Sequence, residues 1–193
     1  MSLVVGVFVG GRSSRMGGSP KGLLAAPDTG ESLVARAVRI ARSLTAEVVL
    51  VGEASAYREV APEVPSIADD PVGIGPLGGL NALFKFAGER PVIALACDMP
   101  FITLEALCAL RDAPSTHACV AAQSSDRLRW EPFFARYDAP RARLAAEAMF
   151  ARKERSLQRL IELLGPVEVP VAPTLLADWD TPHDVALSRS RTP

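Results

Sequence analysis

Cysteine and histidine are scarce in this 193-residue chain, which has three of the first and two of the second. Cys97, Cys108 and Cys119 are an odd set with no C-x-x-C pair, which argues against a disulfide framework and a structural zinc site. His117 leads into a strand-like run and His183 falls in the first turn of a helix-like one. Without a Ser–His or Cys–His constellation, covalent catalysis lacks its machinery. An excess of one charge is missing too: 21 Lys and Arg meet 22 Asp and Glu, interspersed, for a net charge of −1. That removes the electrostatic footprint of a general nucleic-acid or anionic-membrane binder, so an anionic ligand must be met locally. No apolar run approaches the roughly 18 residues of a membrane span, and no charged-then-apolar leader opens the chain. The expectation is a cytoplasmic protein without membrane or nucleic-acid partners.

Against these absences stands an ordinary globular composition, 49% apolar and 22% charged, at a length that suits one domain over residues 1–193. Apolar runs alternate with helix-period segments, which predicts an α/β fold with a mostly parallel sheet covered on both faces. Strands are expected at 3–9, 47–51, 65–68, 91–96, 118–122, 130–137 and 167–171. Helices are expected after Ser32, around 54–61, over 77–87, after Thr103, and near 141–150, 156–164 and 181–184. The run 91–96 is apolar throughout, as a central strand would be.

The first strand opens directly into Gly10-Gly11-Arg12-Ser13-Ser14-Arg15-Met16-Gly17-Gly18-Ser19-Pro20-Lys21. Glycines let backbone N–H groups approach oxygens closely, and the cations offset phosphate charge. The loop has neither the Walker A nor the dinucleotide glycine spacing, so it is a phosphate loop of a third kind. Ligands of parallel α/β sheets collect outside the carboxyl ends of strands, and two further polar clusters fall there: Asp69-Asp70 and Asp98. A carboxylate at the tip of an all-apolar strand needs a cation or a capping role, and nucleotide-bound Mg²⁺ would supply the first. Asp69 or Asp70 suits a ribose hydroxyl, a base edge or plain turn chemistry. Arg15 and Lys21 are placed to hold triphosphate oxygens. Arg129 and Glu131 flank Trp130 and share a face, which either touches an acceptor substrate or is solvated. Cys97 reads as a packed core thiol.

Phe8-Val9-Gly10-Gly11-Arg12-Ser13-Ser14-Arg15-Met16-Gly17, followed by Lys21, resembles the Leu-Ala-Gly-Gly-x-Ser-x-Arg-Met-Gly-x-x-Lys loop of the molybdenum cofactor guanylyltransferases, a branch of the nucleotidyltransferases. The likeness continues in order. Asp69 precedes Gly75-Pro76-Leu77-Gly78-Gly79, and Cys97-Asp98-Met99-Pro100-Phe101, Glu131-Pro132-Phe133-Phe134-Ala135, Ser156-Leu157-Gln158-Arg159 and Asp180-Thr181-Pro182-His183-Asp184 follow. The sequence departs from that family at Phe8-Val9 for Leu-Ala, at Pro20, at Val51 where an asparagine is common, and at Asp180 for Asn. Phosphate and metal positions are kept, while positions beside base and acceptor differ.

The resemblance implies a three-layer α/β/α domain with a mostly parallel mixed sheet, of nucleotide-diphospho-sugar transferase (Rossmann-like) type. It implies GMP transfer from GTP to molybdenum-bearing molybdopterin, with release of pyrophosphate. Arg15, Lys21 and Asp98 would be catalytic, and Phe8, Val9, Gly10, Gly11, Lys21, Asp69 and Asp98 would bind nucleotide. Asp98 would hold Mg²⁺, and a molybdoenzyme or cofactor-delivery protein would receive product. The alternatives are a cytidylyl- or other nucleotidyltransferase acting on molybdopterin or a sugar or alditol phosphate, and a non-catalytic nucleotide-binding subunit.

Overall fold

The computed structural model describes residues 2–9, 20–27, 29–45, 47–114, 116–124, 126–177 and 179. Seven strands form one sheet: β1 (Val4–Phe8), β2 (Glu47–Val51), β3 (Ser66–Ile67), β4 (Val92–Ala96), β5 (Cys119–Gln123), β6 (Trp130–Tyr137) and β7 (Val167–Glu168), in the order β3-β2-β1-β4-β6-β5-β7. All neighbours pair in parallel except β6, which runs antiparallel to both β4 and β5. The start of β6 therefore comes to the edge where the other strands end. That edge is where ligands of such sheets collect.

Helices α1 (Leu33–Leu44) and α3 (Leu104–Asp112) cover one face, and α2 (Pro76–Ala87), α4 (Ala139–Ala151) and α5 (Leu157–Leu163) cover the other. The result is three layers, as expected for strands that are apolar on both faces. Val4, Val5, Val7, Val92, Ile93, Ala94 and Leu95 are fully buried, which makes β1 and β4 the centre of the core. Four of these helices begin on a side-chain cap: Ser32, Thr103, Asp138 and Ser156 accept from the amides of Ala35, Ala106, Arg141 and Arg159. Helix α2 has no such cap, starting instead from Gly75 with Pro76 in its first turn.

The pattern from 54 to 61 does not make a full helix; only a 3-10 turn forms at Ser55–Tyr57. Tyr57 is buried and anchors this segment below the strand ends, where side-chain packing prevails over the local helical preference. Helix α4 starts two residues before the expected boundary because Asp138 caps it and Pro140 tolerates the first turn. The expected helix at 181–184 lies outside the described residues.

Two arginines tie the outer layer to the core. The Arg36 guanidinium donates to the carbonyl of Ile102 at 2.8 Å, joining α1 to the start of α3. Arg136 lies on β6 and is only 6% exposed. It donates to the carbonyls of Arg111, Ala113 and Pro114 at 3.1, 2.6 and 2.6 Å, closing the end of α3. Arg136→Met keeps the volume but strands those acceptors. We expect it to lower unfolding free energy by about 2–4 kcal/mol in urea titrations, a stability equal to that of wild type being the contrary result.

Candidate functional site

A cleft of about 370 Å³ opens over the ends of β2, β1 and β4 and the start of β6. Its apolar floor follows the register. Val51 pairs with Phe8 and Phe8 with Ala96, while Leu95 pairs with Phe134, which brings Phe133 beside Ala96. The small Ala96 lets the rings of Phe8 and Phe133 meet across it, with centroids 4.5 Å apart. Around this floor stand Asp69, Asp98, Glu131 and Lys21.

Lys21 begins a short 3-10 turn, and its ammonium nitrogen lies 3.1 Å from a carboxylate oxygen of Asp98, 77 residues away. Both side chains are about one-fifth exposed, so the pair is shielded yet reachable from the cleft. The Asp98 peptide is fixed as well. Cys97 N–H donates to the carbonyl of Phe8 at 3.2 Å, and Trp179 N–H donates to the Asp98 carbonyl at 3.1 Å. The Trp179 side chain packs with Ala26 and Leu33 in a small apolar cluster of its own. Trp179 thus joins the Asp98 strand end to the segment that follows the Lys21 turn.

Tyr57 does a related task. Its hydroxyl donates to the carbonyl of Val9 at 3.4 Å, and a Cβ on Gly22 would fall 2.7 Å from its ring. Burial pushes the Tyr57 hydroxyl up to about 12, so it remains a protonated donor at neutral pH. Burial also pushes up the thiols of Cys97 and Cys119, the latter to about 12, which makes both inert core groups, as expected for Cys97. His117 precedes β5 at the opposite end of the sheet from the cleft, and His183 lies outside the described residues.

The Asp69-Asp70 pair divides. Asp69 faces the cleft, whereas Asp70 turns to α2, where its carboxylate takes Lys85 at 2.8 Å and its carbonyl takes Asn81 at 2.8 Å. Burial holds the Asp69 carboxyl above its usual range. The glycines of α2 allow this crowding. A Cβ on Gly78 would lie 2.5 Å from the Pro71 carbonyl oxygen, and one on Gly79 would lie 3.0 Å from the Phe8 ring and 3.1 Å from an Asp69 oxygen. Gly73, Gly75 and Gly78 have the Gly-x-Gly-x-x-Gly spacing, a signal in the sequence separate from the first loop. It opens α2 but does not follow β1, so it is not the dinucleotide turn.

The structure therefore gathers Phe8, Val9, Lys21, Asp69 and Asp98 in one cleft, with Val51 at its edge. Gly10, Gly11 and Arg15 lie outside the described residues. Sequence reasoning missed Tyr57 and Trp179, which reach the site only through tertiary packing. It left the Glu131 face open, and the structure puts Glu131 and Phe133 at the cleft.

The sequence profile described as MobA-like NTP transferase domain matches residues 5–169. The chain belongs to that family. A Pseudomonas fluorescens protein named molybdenum cofactor guanylyltransferase is 32% identical over 178 residues, covering 90% of this chain and 87% of its own length. A probable molybdenum cofactor guanylyltransferase of Opitutus terrae is 33% identical over 193 aligned residues, covering 95% and 93%. The solved structure of molybdopterin-guanine dinucleotide biosynthesis protein A from Archaeoglobus fulgidus superposes with a TM-score of 0.74 at 22% identity, covering 96% of each chain. A Thermus thermophilus 2-C-methyl-D-erythritol 4-phosphate cytidylyltransferase gives 0.72 at 15% identity, covering 98% of each. These two likenesses establish the fold, a three-layer α/β/α domain shared with both structures. Among the described residues, no helix is long and apolar enough to cross a membrane.

Two outcomes test this geometry. Gly78→Ala pushes its methyl into the Pro71 carbonyl, so stability should fall by about 1–3 kcal/mol on thermal unfolding, with weaker nucleotide binding by calorimetry. Asp69 behaves differently. Its folded-state pKa is raised, so ionisation opposes folding at neutral pH, and the penalty is relieved as pH falls through that pKa toward the unfolded value. Asp69→Asn should therefore unfold at a higher temperature than wild type at pH 7, the gain vanishing in acid, while nucleotide binding weakens.

Proposed function

We propose that this chain, acting as a single nucleotidyltransferase domain, transfers GMP from GTP to the terminal phosphate of molybdopterin carrying molybdenum. The observation that supports this most directly is the Lys21–Asp98 pair inside a cleft whose other wall is Asp69. A cation beside a fixed carboxylate at the end of the central strands suits a triphosphate. The acceptor is argued from relatives named molybdenum cofactor guanylyltransferase over most of their length.

In the proposed reaction an acceptor phosphate oxygen attacks the α-phosphorus in line. The new P–O bond forms as the bond to the bridging oxygen breaks, and pyrophosphate leaves with that electron pair. The nucleophile is already anionic, so no side-chain base is needed, which agrees with the placement of His117 far from the cleft. Lys21 exchanges its Asp98 partner for phosphate oxygens and takes up charge on the leaving group; Arg15 and the Gly10 and Gly11 amides are its proposed companions. The apolar floor beside Phe8 and Val51 excludes water and receives the base, with Asp69 at its edge to accept from the nucleoside.

The residues fit a magnesium ion that arrives with the nucleotide. Asp98 offers one carboxylate at the phosphate position, and no cluster of three or more His, Cys, Asp or Glu occurs among the described residues. Mg²⁺ typically takes one or two carboxylates and fills its remaining positions with phosphate oxygens and water. When bound there, it would neutralise charge on the α-phosphate. Asp98 would hold it, and the Cys97 and Trp179 backbone bonds keep that carboxylate in place. We place the reaction in the cytoplasm, with product passing to a molybdoenzyme or delivery protein.

Pyrophosphate release with molybdopterin, Mg²⁺ and each of GTP, CTP, ATP and UTP is the direct test. GTP should be preferred, and Lys21→Met should lower kcat/KM by about 100-fold or more, as should Asp98→Asn. A preference for CTP would make the chain a cytidylyltransferase. Nucleotide binding without pyrophosphate release would make it a binding subunit.

A further inference from the structure

The cleft does not end at Asp98. Past β4 it continues to β6, where Glu131 and Phe133 form its far wall. The backbone that carries them is irregular in a specific way. Ala121 of β5 pairs with Ala135, so regular pairing would bring Gln123 opposite Phe133; Gln123 pairs instead with Trp130. Glu131, Pro132 and Phe133 are thereby lifted out of the β5–β6 ladder. Bulges of this kind re-aim side chains beside active sites, and Pro132 has no N–H to leave unpaired.

The displaced segment is nonetheless pinned at both ends. The Gln158 side chain on α5 brackets Trp130: its carbonyl oxygen accepts from Trp130 N–H at 2.9 Å and its amide donates to the Trp130 carbonyl at 2.8 Å. The Tyr137 hydroxyl donates to the Pro132 carbonyl at 2.9 Å. A primary amide thus holds the backbone N–H and carbonyl of the residue immediately before Glu131. Such a bracket fixes the backbone from which Glu131 reaches the cleft wall, which a purely solvated strand face does not need.

Position across the sheet says which reactant meets it. Asp69 and Val51 lie on the β2–β3 side of β1, and Lys21 and Asp98 lie at the middle. Glu131 lies beyond them on β6. A nucleotide with its phosphates at Lys21 and its base toward Asp69 leaves the β6 side to the second reactant. A carboxylate accepts hydrogen bonds and donates none, so the N–H donors of the second reactant suit this wall. The 2-amino-4-oxopyrimidine edge of a pterin presents a ring N–H beside an exocyclic amine, a donor pair that matches the two oxygens of one carboxylate. Phe133, on the same wall, offers that flat ring an apolar face.

Building on the guanylyl-transfer reading above, we propose that Glu131 is the acceptor-specificity residue, its carboxylate accepting the paired N–H donors of the pterin ring laid against Phe133, and that Gln158 is its positioning residue. Glu131→Gln keeps the shape but turns an NH₂ group toward the pterin donors, and Glu131→Ala removes both acceptors. With GTP and Mg²⁺ saturating, each should raise the KM for molybdopterin about 10- to 100-fold, with the KM for GTP within about two-fold of wild type. Gln158→Ala should raise the same KM by about three- to ten-fold, again without moving that for GTP. Calorimetric binding of GTP identifies the folded variants. An unchanged molybdopterin KM in both Glu131 variants overturns the proposal. So does a raised KM for GTP, which would place guanine at Glu131, or a raised Mg²⁺ requirement, which would make Glu131 a metal ligand. If wild type transfers no GMP to molybdopterin, the guanylyl-transfer reading fails first and the proposal falls with it, an outcome distinct from a variant-specific failure.

Discussion

Everything at the cleft is measured from the end of β4. This strand is buried on both faces and paired on both edges, by β1 in parallel and by β6 antiparallel, so its last residues have almost no freedom. A carboxylate set there, at Asp98, keeps its place without a dedicated scaffold of side chains. Lys21 then answers it from the turn after the first loop, while the Cys97 N–H bond to Phe8 and the Trp179 N–H bond to the Asp98 carbonyl fix the backbone around it. The antiparallel pairing has a second effect, since it returns the chain to the same edge and presents Glu131 and Phe133 there.

Close approach is the other organising constraint. The first turn of α2 lies so near Pro71, Phe8 and Asp69 that residue 78 must lack a side chain and residue 79 has little room for one. That packing leaves Asp69 partly desolvated, with its pKa raised, and no described cation bonds to its carboxylate. A partly dehydrated carboxylate facing an apolar floor is costly to the folded protein and useful to a ligand that can donate to it. In the proposed reaction, stability and recognition oppose each other at this residue.

Much of this was legible from residues in order. The layered α/β fold followed from apolar runs alternating with helical periods, because burial on both faces demands continuous apolar strands. Asp98 was legible because an acidic residue ends the most apolar run, and Lys21 because it closes a glycine-rich loop. The pair Asp69-Asp70 was ambiguous, since both residues end the same segment. Only the packing of Lys85 and Asn81 on α2 turned Asp70 away. The helix expected at 54–61 failed because Tyr57 had a tertiary partner in Val9 that local periodicity does not reveal.

The sequence by itself determined the groups available: a glycine-rich stretch with two arginines that ends at Lys21, a carboxylate at each of two strand ends, and membership in a nucleotidyltransferase family. These depend on residue type and on neighbours within one element. The tertiary structure alone decided which side of the cleft each group occupies. That Glu131 faces the site rather than solvent depends on a ladder shift between β5 and β6, a bracket from Gln158 on a later helix, and a strand order that places β6 beyond β4. Contacts between residues tens of positions apart set each of these, because a strand's register and partner are chosen by what the whole sheet buries.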